Sequence, residues 1–259
     1  MSNIFKFHQG TSPLLVSVPH DGRQIPMEIV QHMSDAGRAI PDTDWHVSEL
    51  YEFVKDAGAS LITANFSRYV VDLNRPSDDA ELYENQGTPG LCPEKTFAGD
   101  DIYLDPIEID KEARVAAYWQ PYHEQIAATL QQLREQHGYA LLWDAHSIPS
   151  VVPSLFDGEL PVLNVGTWDG RSCGKQLSDA VMSAAAASAY ESVLNGRFKG
   201  GFITRHYGDP DNRVHALQLE LGQRAYMHER NLEFDKVKAA ELRATLAAML
   251  DAYQEAARQ

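Results

Sequence analysis

The chain has 259 residues, 44% of them hydrophobic and 23% charged, with a formal net charge of −15 at pH 7. This globular composition argues against disordered, collagen-like and coiled-coil chains, and the negative charge opposes binding to nucleic acid or an anionic membrane. There is no apolar run near the roughly 18 residues of a membrane span, no export signal, and only two cysteines. We therefore expect a single cytoplasmic domain over residues 1–259, whose negative charge still permits a small anionic ligand; its oligomeric state is not indicated.

The first predicted elements are two short strands and the helix between them. Residues 14–18 form an apolar run that predicts a buried strand, and a Pro-His-Asp-Gly turn containing His20 follows it. A helix is expected after Asp42, because Asp is a favoured N-cap and apolar residues recur at helical spacing as far as Val54. Gly58 is expected to end this helix. Residues 60–64 predict the second strand.

The middle of the chain combines a long loop with a long helix. Residues 69–73 read as a strand, and residues 74–104 as a loop rich in glycine and proline. Asp105 begins a sequence typical of a capping box, which predicts a helix from there to about residue 137. Pro121 should break or kink this helix. Residues 139–143 predict a further buried strand.

The last third alternates strands and helices. Residues 161–165 predict a strand, the alanine-rich residues 171–190 a helix, and residues 191–194 a short strand. Residues 214–221 are a clear strand, and apolar residues at helical spacing over 242–253 mark a final helix.

This alternation predicts an α/β fold with a mainly parallel sheet, because parallel strands buried on both faces read as apolar runs. Ligands of such folds bind beyond the carboxyl ends of the strands. His20, His146 and Glu220 all lie at or near such ends, and Arg75 follows another. Their coincidence indicates a functional site at that edge of the sheet.

Some of these residue types suit a metal centre. A catalytic zinc ion takes three protein nitrogen or oxygen ligands, and His20 and His146 could supply two of them, although the chain has ten histidines. Asp42 or Asp44 could be the third, but helix capping is the alternative role and the stronger one for Asp42. Glu220, flanked by leucines, is either a general base or an ordinary residue facing water.

Several arginines lie in loop or apolar segments, and the Asn74–Arg75 pair that ends a predicted strand suggests that a carboxylate is recognised. Arg68, Arg75, Arg205 and Arg213 are of this kind, and a guanidinium binds a carboxylate through a two-pronged fork. The alternative is an ordinary surface salt bridge. Nucleophilic catalysis has weak support, since Ser147 lies in no GxSxG motif and neither cysteine has a CxxC partner.

Several motifs resemble those of a known enzyme family. They are VPHDG at 18–22, DTDW at 42–45, YVVDLNRPS at 69–77, GTPGLCP at 87–93, LWDAHS at 142–147, and the stretch 200–227 with LQLELGQ at 217–223. On these motifs the chain resembles the N-formylglutamate amidohydrolases of histidine degradation and, more distantly, the zinc carboxypeptidases and the succinylglutamate desuccinylase/aspartoacylase enzymes. The resemblance implies a three-layer α/β/α sandwich with a mixed, mainly parallel sheet, like the phosphorylase/hydrolase and zinc-carboxypeptidase folds.

The resemblance also implies a set of metal ligands. The segments of His20 and His146 resemble the zinc-ligand segments of those enzymes. Arg23 stands where the distant relatives have a ligating glutamate, so an aspartate must replace that ligand. Asp44 is the preferred replacement and Asp42 the alternative. Zinc is the expected metal, with other divalent transition metals such as cobalt, manganese or iron as alternatives.

The implied reaction is the hydrolysis of N-formyl-L-glutamate to L-glutamate and formate by a zinc-activated water. Glu220 resembles the general base of those enzymes, and Arg68 is expected to stabilise the oxyanion. The alternatives are a zinc amidase for another N-acyl amino acid or a small peptide, or a catalytically silent protein that binds acidic amino acids. The residues expected to bind the substrate are Asn74, Arg75, Arg205 and Tyr207.

Overall fold

A seven-stranded sheet forms the centre of the molecule in a computed structural model that describes residues 3–81 and 90–258. The strand order is β1-β3-β2-β4-β7-β5-β6. Four inner strands are mutually parallel, namely β3, β2, β4 and β7. Strand β1 runs antiparallel to β3, and β5 runs antiparallel to β7. Strand β6 runs parallel to β5. The strands are β1 (Phe5–His8), β2 (Leu14–Val18), β3 (Ser60–Ala64), β4 (Ala140–Ile148), β5 (Leu163–Gly166), β6 (Ser192–Leu194) and β7 (Val214–Gly222), with a separate hairpin of β8 (Met227–His228) and β9 (Glu233–Phe234).

The helices surround this sheet, and the longest of them are α5 and α8. None of the helices in the part of the chain that the structure describes has both the length and the apolar character that crossing a membrane requires. The α-helices are α1 (Met27–Val30), α2 (Asp35–Arg38), α3 (Val47–Leu50), α4 (Lys111–Arg114), α5 (Gln120–His137), α6 (Lys175–Ala186), α7 (Phe202–Tyr207) and α8 (Lys236–Ala257), with a π turn at Val115–Trp119 and 3₁₀ turns at Glu52–Val54, Trp168–Gly170, Pro210–Asn212 and Gln223–Ala225.

The three-layer arrangement follows from side-chain alternation along the central strands, since successive side chains of a strand point to opposite faces. Leu141 and Trp143 of β4 belong to the apolar cluster that contains buried residues of α6 and α8. Leu142, between them, belongs to the cluster that contains Tyr122 and Ile126 of α5. The sheet is therefore covered on both faces, which confirms the predicted fold with its mixed, mainly parallel sheet.

The face covered by α5 becomes polar toward the carboxyl ends of the two central strands. After Leu142, the next residues of β4 on this face are Asp144 and His146. They are paired across the sheet with Gln218 and Glu220 of β7. All four are buried, so they form a polar edge inside the protein rather than on its surface.

Two predicted elements differ in the structure. Residues 69–73 form turns rather than a strand. Their backbone groups make isolated hydrogen bonds instead of a regular strand pairing; for example, the Asp72 N–H donates to Leu91 O at 2.7 Å. An apolar run signals burial, and a buried turn satisfies that signal as well as a strand does. The helix expected from Asp105 begins at α4, where the Asp110 side chain accepts the Ala113 N–H at 2.9 Å.

The helix expected after Asp42 is short and is capped by a different residue. Only α3 and the following 3₁₀ turn form there. The carboxylate of Asp21 accepts the backbone N–H groups of His46 and Ser48 at the start of α3, at 3.1 and 2.9 Å. The cap thus comes from the turn after β2. The GTPGLCP motif lies partly outside the described residues.

Candidate active site

Three predicted ligands come together at the polar edge of the sheet. His20 follows β2, His146 lies near the end of β4, and Asp44 lies in the loop before α3, all of them buried. One potential ligand atom from each residue lies within 4.8 Å of the other two. Asp44 Oδ2 is 3.1 Å from Nδ1 of His146 and 3.8 Å from Nδ1 of His20. The geometry thus brings two imidazoles and a carboxylate to one point.

The other ring nitrogen of each histidine faces a second carboxylate. His20 Nε2 is 2.7 Å from Asp72 Oδ1, and His146 Nε2 is 3.0 Å from Asp144 Oδ2. An ionised carboxylate only accepts hydrogen bonds, so each Nε2 carries a proton and donates. For His20 this leaves the Nδ1 lone pair directed toward Asp44. Such carboxylate–histidine pairs support the ligands of metal sites.

The electrostatics of the two histidines fit a metal ion. Nδ1 of His20 is buried and has no hydrogen-bond partner within residues 3–81 and 90–258. Burial, with the nearby Arg68 cation, lowers the pKa of His20, so its imidazole stays neutral. Burial alone would lower the pKa of His146 as well, but Asp144 and Asp44 outweigh it and hold that pKa well above 6.5. A divalent cation could replace the Nδ1 proton of His146 between these groups.

Asp44 rather than Asp42 belongs to this cluster. Arg68 Nη2 donates to Oδ1 of Asp44, and the Ser147 backbone N–H donates to Oδ2 at 3.1 Å. Burial would raise the pKa of Asp44, but the Arg68 cation and the hydrogen bond from His146 hold it below its usual range. Asp44 therefore remains an anionic ligand candidate.

Asp42 has a structural role instead. Its Oδ2 accepts the Tyr69 hydroxyl at 2.6 Å and the Phe97 backbone N–H at 2.9 Å. Burial raises the pKa of Asp42, against the effects of the Tyr69 hydrogen bond and of Arg68. The geometry thus gives Asp42 neither the predicted capping role nor the place of the third ligand.

A pocket of about 90 Å³ opens beside the histidines and is lined by polar and apolar side chains. His20, His146 and Glu220 provide polar groups. The apolar part, here called the apolar wall, consists of Phe97, Ile148, Leu155 and Phe198, which pack in one cluster. The cations that line the pocket are Arg68, Arg75 and Arg197.

Glu220 lies next to His146 across the parallel pair of β4 and β7. Burial raises the pKa of Glu220 to about 8, and Asp44 adds to this effect, whereas His146 and Arg68 oppose it. A carboxyl group with a pKa in this range can take up and release a proton near neutral pH. Glu220 also lines the pocket beside the candidate ligands.

The Asn74–Arg75 segment forms another side of the pocket. Asn74 Oδ1 accepts the Ile203 N–H at 2.8 Å, and Asn74 Nδ2 is 3.1 Å from His146 Nε2. The side chain of Asn74 is therefore oriented by α7 and lies against a candidate ligand. Arg75 Nη1 donates to the Asn74 carbonyl at 2.9 Å. Both residues line the pocket.

Two aromatic residues hold the backbone of this segment. The indole N–H of Trp119 donates to Arg75 O at 2.9 Å, and His123 Nε2 donates to Leu73 O at 2.8 Å. Trp119 is the last residue of the π turn that precedes α5, where the Gln120 N–H donates to a carbonyl five residues earlier. The break predicted at Pro121 is this turn, and π turns of this kind are frequent at functional sites.

Two other predicted substrate residues lie away from the pocket lining. Arg205 Nε donates to Gly200 O at 2.8 Å, and its guanidinium lies 5.8 Å from the Trp168 ring centroid. The Tyr207 hydroxyl lies 3.0 Å from Nδ1 of His123. Among the described residues, neither belongs to the pocket lining. Both lie on α7, a helix that is not among the predicted elements.

Arg197 lines the pocket although it is not among the predicted site residues. It lies in the loop between β6 and α7, within Asn-Gly-Arg-Phe-Lys-Gly, which reads as an ordinary surface turn. No local signal separates it from the other arginines, so only the folded chain identifies it.

Comparisons with known proteins agree with the motifs. The model of the N-formylglutamate amidohydrolase family matches residues 12–227. The N-formylglutamate deformylases of Pseudomonas putida and Pseudomonas aeruginosa are 48% and 49% identical to the chain over 233 residues, which cover 88% of this chain and 87% of each relative.

Solved structures share the fold. A crystal structure of N-formylglutamate amidohydrolase from Ralstonia eutropha JMP134 has a TM-score of 0.82 at 24% identity and covers 96% of this chain and 97% of its own. The Atu2144 gene product of Agrobacterium tumefaciens has a TM-score of 0.74 at 18% identity, with 96% of each chain covered. At these identities the likeness establishes the three-layer fold alone.

Proposed function

Because the chain belongs to the N-formylglutamate amidohydrolase family, we propose that it hydrolyses N-formyl-L-glutamate to L-glutamate and formate. This is the activity for which its two Pseudomonas relatives are named. The observation that carries the proposal is the buried group of His20, Asp44 and His146 beside a pocket that contains Glu220 and arginines. We further propose that the reaction completes a histidine degradation route in the cytoplasm.

We assign His20, Asp44 and His146 as the ligands of a zinc ion, because two imidazoles and one carboxylate are a donor set that zinc prefers. When bound, such an ion polarises the substrate carbonyl and lowers the pKa of water toward about 7. Asp72 and Asp144 orient the two imidazoles through the Nε2 contacts. The chain thus supplies both the ligands and the groups that fix them.

Glu220 is the proposed general base and acid. Its carboxylate takes the proton of the attacking water while the oxygen bonds to the formyl carbon. It then delivers that proton to the departing nitrogen as the carbon–nitrogen bond breaks, so that formate and the amine of glutamate are released. The burial that raises the pKa of this carboxyl also suits it to both transfers.

Two arginines are proposed to bind negative charge. Arg68 lines the pocket and is fixed by its hydrogen bond to Asp44, and its proposed role is to stabilise the oxyanion with a cation held in place before the substrate binds. Arg75, supported by Asn74, binds the α-carboxylate through a charge-assisted contact. Within the described residues Arg205 and Tyr207 do not line this pocket, so we do not assign them to this role.

The test is formate release from N-formyl-L-glutamate by the purified protein, before and after removal of metal with a chelator. We expect robust release that chelation abolishes and added zinc restores, with cobalt, manganese and iron tested in parallel. The matched control is Asp101→Asn, an exposed carboxylate outside the site, which should behave as the unaltered protein. Absence of formate in the zinc-replete protein would sink the assignment and leave another N-acyl substrate or a silent binding protein.

A further inference from the structure

The three arginines of the pocket occupy different surroundings. Arg68 is bonded to Asp44 and lies 4.0 Å from Asp72, so it belongs to the ligand cluster. Arg75 belongs to the segment held by Trp119 beside the same cluster. Arg197 instead enters from the apolar wall, where its Nε donates to the Leu155 carbonyl at 2.5 Å. One of the three cations that line the pocket is thus bonded to the apolar wall rather than to the ligand cluster.

The segment that carries Arg197 is anchored on both sides. Asn195 Oδ1 accepts the Thr167 N–H at 2.8 Å, and Asn195 Nδ2 donates to Thr167 Oγ1 at 2.9 Å. Farther along, the Gly201 N–H donates to Gln218 Oε1 at 2.7 Å. Since the backbone is held before and after Arg197 and its Nε is bonded, the guanidinium is positioned in advance of binding. A cation fixed in this way loses little side-chain entropy on binding.

The proposed substrate has a shape that matches this arrangement. Its formyl group must reach Glu220 and the ligand cluster, and its α-carboxylate lies one carbon from the reacting nitrogen, near Arg75. The side-chain methylenes then extend toward apolar groups, for which Phe97 and Phe198 provide contact surface. The second carboxylate ends beyond these methylenes, and a guanidinium fork is the group that binds a carboxylate most specifically.

We infer that Arg197 binds the side-chain carboxylate of the substrate and makes the pocket selective for N-acyl derivatives of dicarboxylic amino acids. This inference rests on the proposed function and adds a specificity determinant to it. It predicts that selectivity for the second carboxylate depends on Arg197, whereas binding of the α-carboxylate depends on Arg75.

The test compares kcat/KM for formate release from N-formyl-L-glutamate and from N-formyl-L-glutamine, a neutral substrate of nearly the same shape. Arg197→Met should lower kcat/KM for the glutamate derivative about 10- to 100-fold, the effect of one charged hydrogen-bonded contact, with little change for the glutamine derivative. Arg197→Lys, which keeps the charge without the fork, should retain more of the selectivity. Arg75→Met should weaken both substrates alike, and Arg134→Met, at an exposed position of α5, should change neither.

Equal losses for the two substrates in Arg197→Met, or unchanged selectivity, would overturn the inference. Failure of the proposed function looks different, since the unaltered protein then releases no formate from either compound. In that case calorimetric binding of the same two compounds decides the role of Arg197. Preferred binding of the dicarboxylate that Arg197→Met abolishes would support it, and equal binding of both compounds would refute it.

Discussion

Asp72 provides a direct test of how the chain tunes its candidate metal site. Its Oδ1 accepts one hydrogen bond from His20 Nε2 at 2.7 Å and another from the Asn74 backbone N–H at 2.8 Å. Burial would raise the pKa of Asp72, but His20 and Arg75 outweigh it and hold that pKa far below its usual range. Asp72 therefore places a full negative charge behind one ligand, which makes the Nδ1 atom of His20 a stronger donor to a cation.

The substitution Asp72→Asn removes this charge but keeps an oxygen that can accept both hydrogen bonds. Loss of a carboxylate behind a ligating histidine typically weakens metal binding about 10- to 100-fold. We expect about 10-fold for Asp72→Asn, because the geometry survives, and about 100-fold for Asp72→Ala, which removes the acceptor as well. These factors correspond to about 1.4 and 2.7 kcal/mol of metal-binding free energy.

Competition with a chromophoric zinc chelator at neutral pH measures the affinity, and Asp179→Asn, an exposed carboxylate on α6, is the control. At saturating zinc the kcat of Asp72→Asn should stay within a few-fold of the unaltered protein, because the base and the substrate contacts are intact. Unchanged zinc affinity in a folded Asp72→Asn variant would refute this reasoning. Equal weakening in the control would show that total charge, rather than the contact with His20, is responsible.

Three further predictions concern catalysis, positioning and pH. Glu220→Gln should lower kcat by about 10²- to 10⁴-fold with zinc content unchanged by elemental analysis, and near-normal turnover would exclude Glu220 as the base. Trp119→Phe removes the donor to Arg75 O but keeps the ring against His123. The loss of about 1 kcal/mol should raise KM several-fold and leave kcat little changed. Steady-state kinetics that show only a lower kcat would contradict this positioning role. Burial lowers the pKa of His123 from 6.5 to about 3. Between these two pH values the imidazole is therefore protonated in the unfolded chain and neutral in the folded chain. Its contribution to the free energy of unfolding is fully present above about pH 6.5 and is lost as the pH falls toward 3. Between pH 7 and pH 5 this protonation lowers the free energy of unfolding by about 2 kcal/mol. Urea titrations should show that His123→Gln lacks this decrease, and the same pH dependence of the free energy of unfolding in both proteins would disprove the prediction.

The sequence by itself determines the framework of the sheet and the location of the site. The runs that became β2, β3, β4 and β7 are apolar because parallel strands are buried on both faces, and this signal is local. A polar residue that ends or follows such a run must lie at the carboxyl edge of the sheet. This is why His20, His146 and Glu220 could be predicted to lie close together.

The tertiary structure decides which residues of similar type face the site. Asp42 and Asp44 are two positions apart in one loop, yet Asp44 contacts His146 and Asp42 accepts from Tyr69 and Phe97. Nothing in a local pattern specifies these partners, because they come from distant parts of the chain. The turns at 69–73 likewise carry the hydrophobicity of a strand, since burial and not backbone conformation sets that hydrophobicity.

The arginines show the same difference between what the sequence determines and what the tertiary structure decides. A sequence reveals that a guanidinium is present, but its direction depends on contacts made across the fold. Arg205 is held at Gly200 and Trp168 outside the pocket lining, whereas Arg197, in an unremarkable turn, is held at Leu155 and lines the pocket. Composition and periodicity thus determine at which edge of the sheet the candidate site lies. Long-range packing decides which side chains are directed toward that site, because orientation is fixed only by partners far away in sequence.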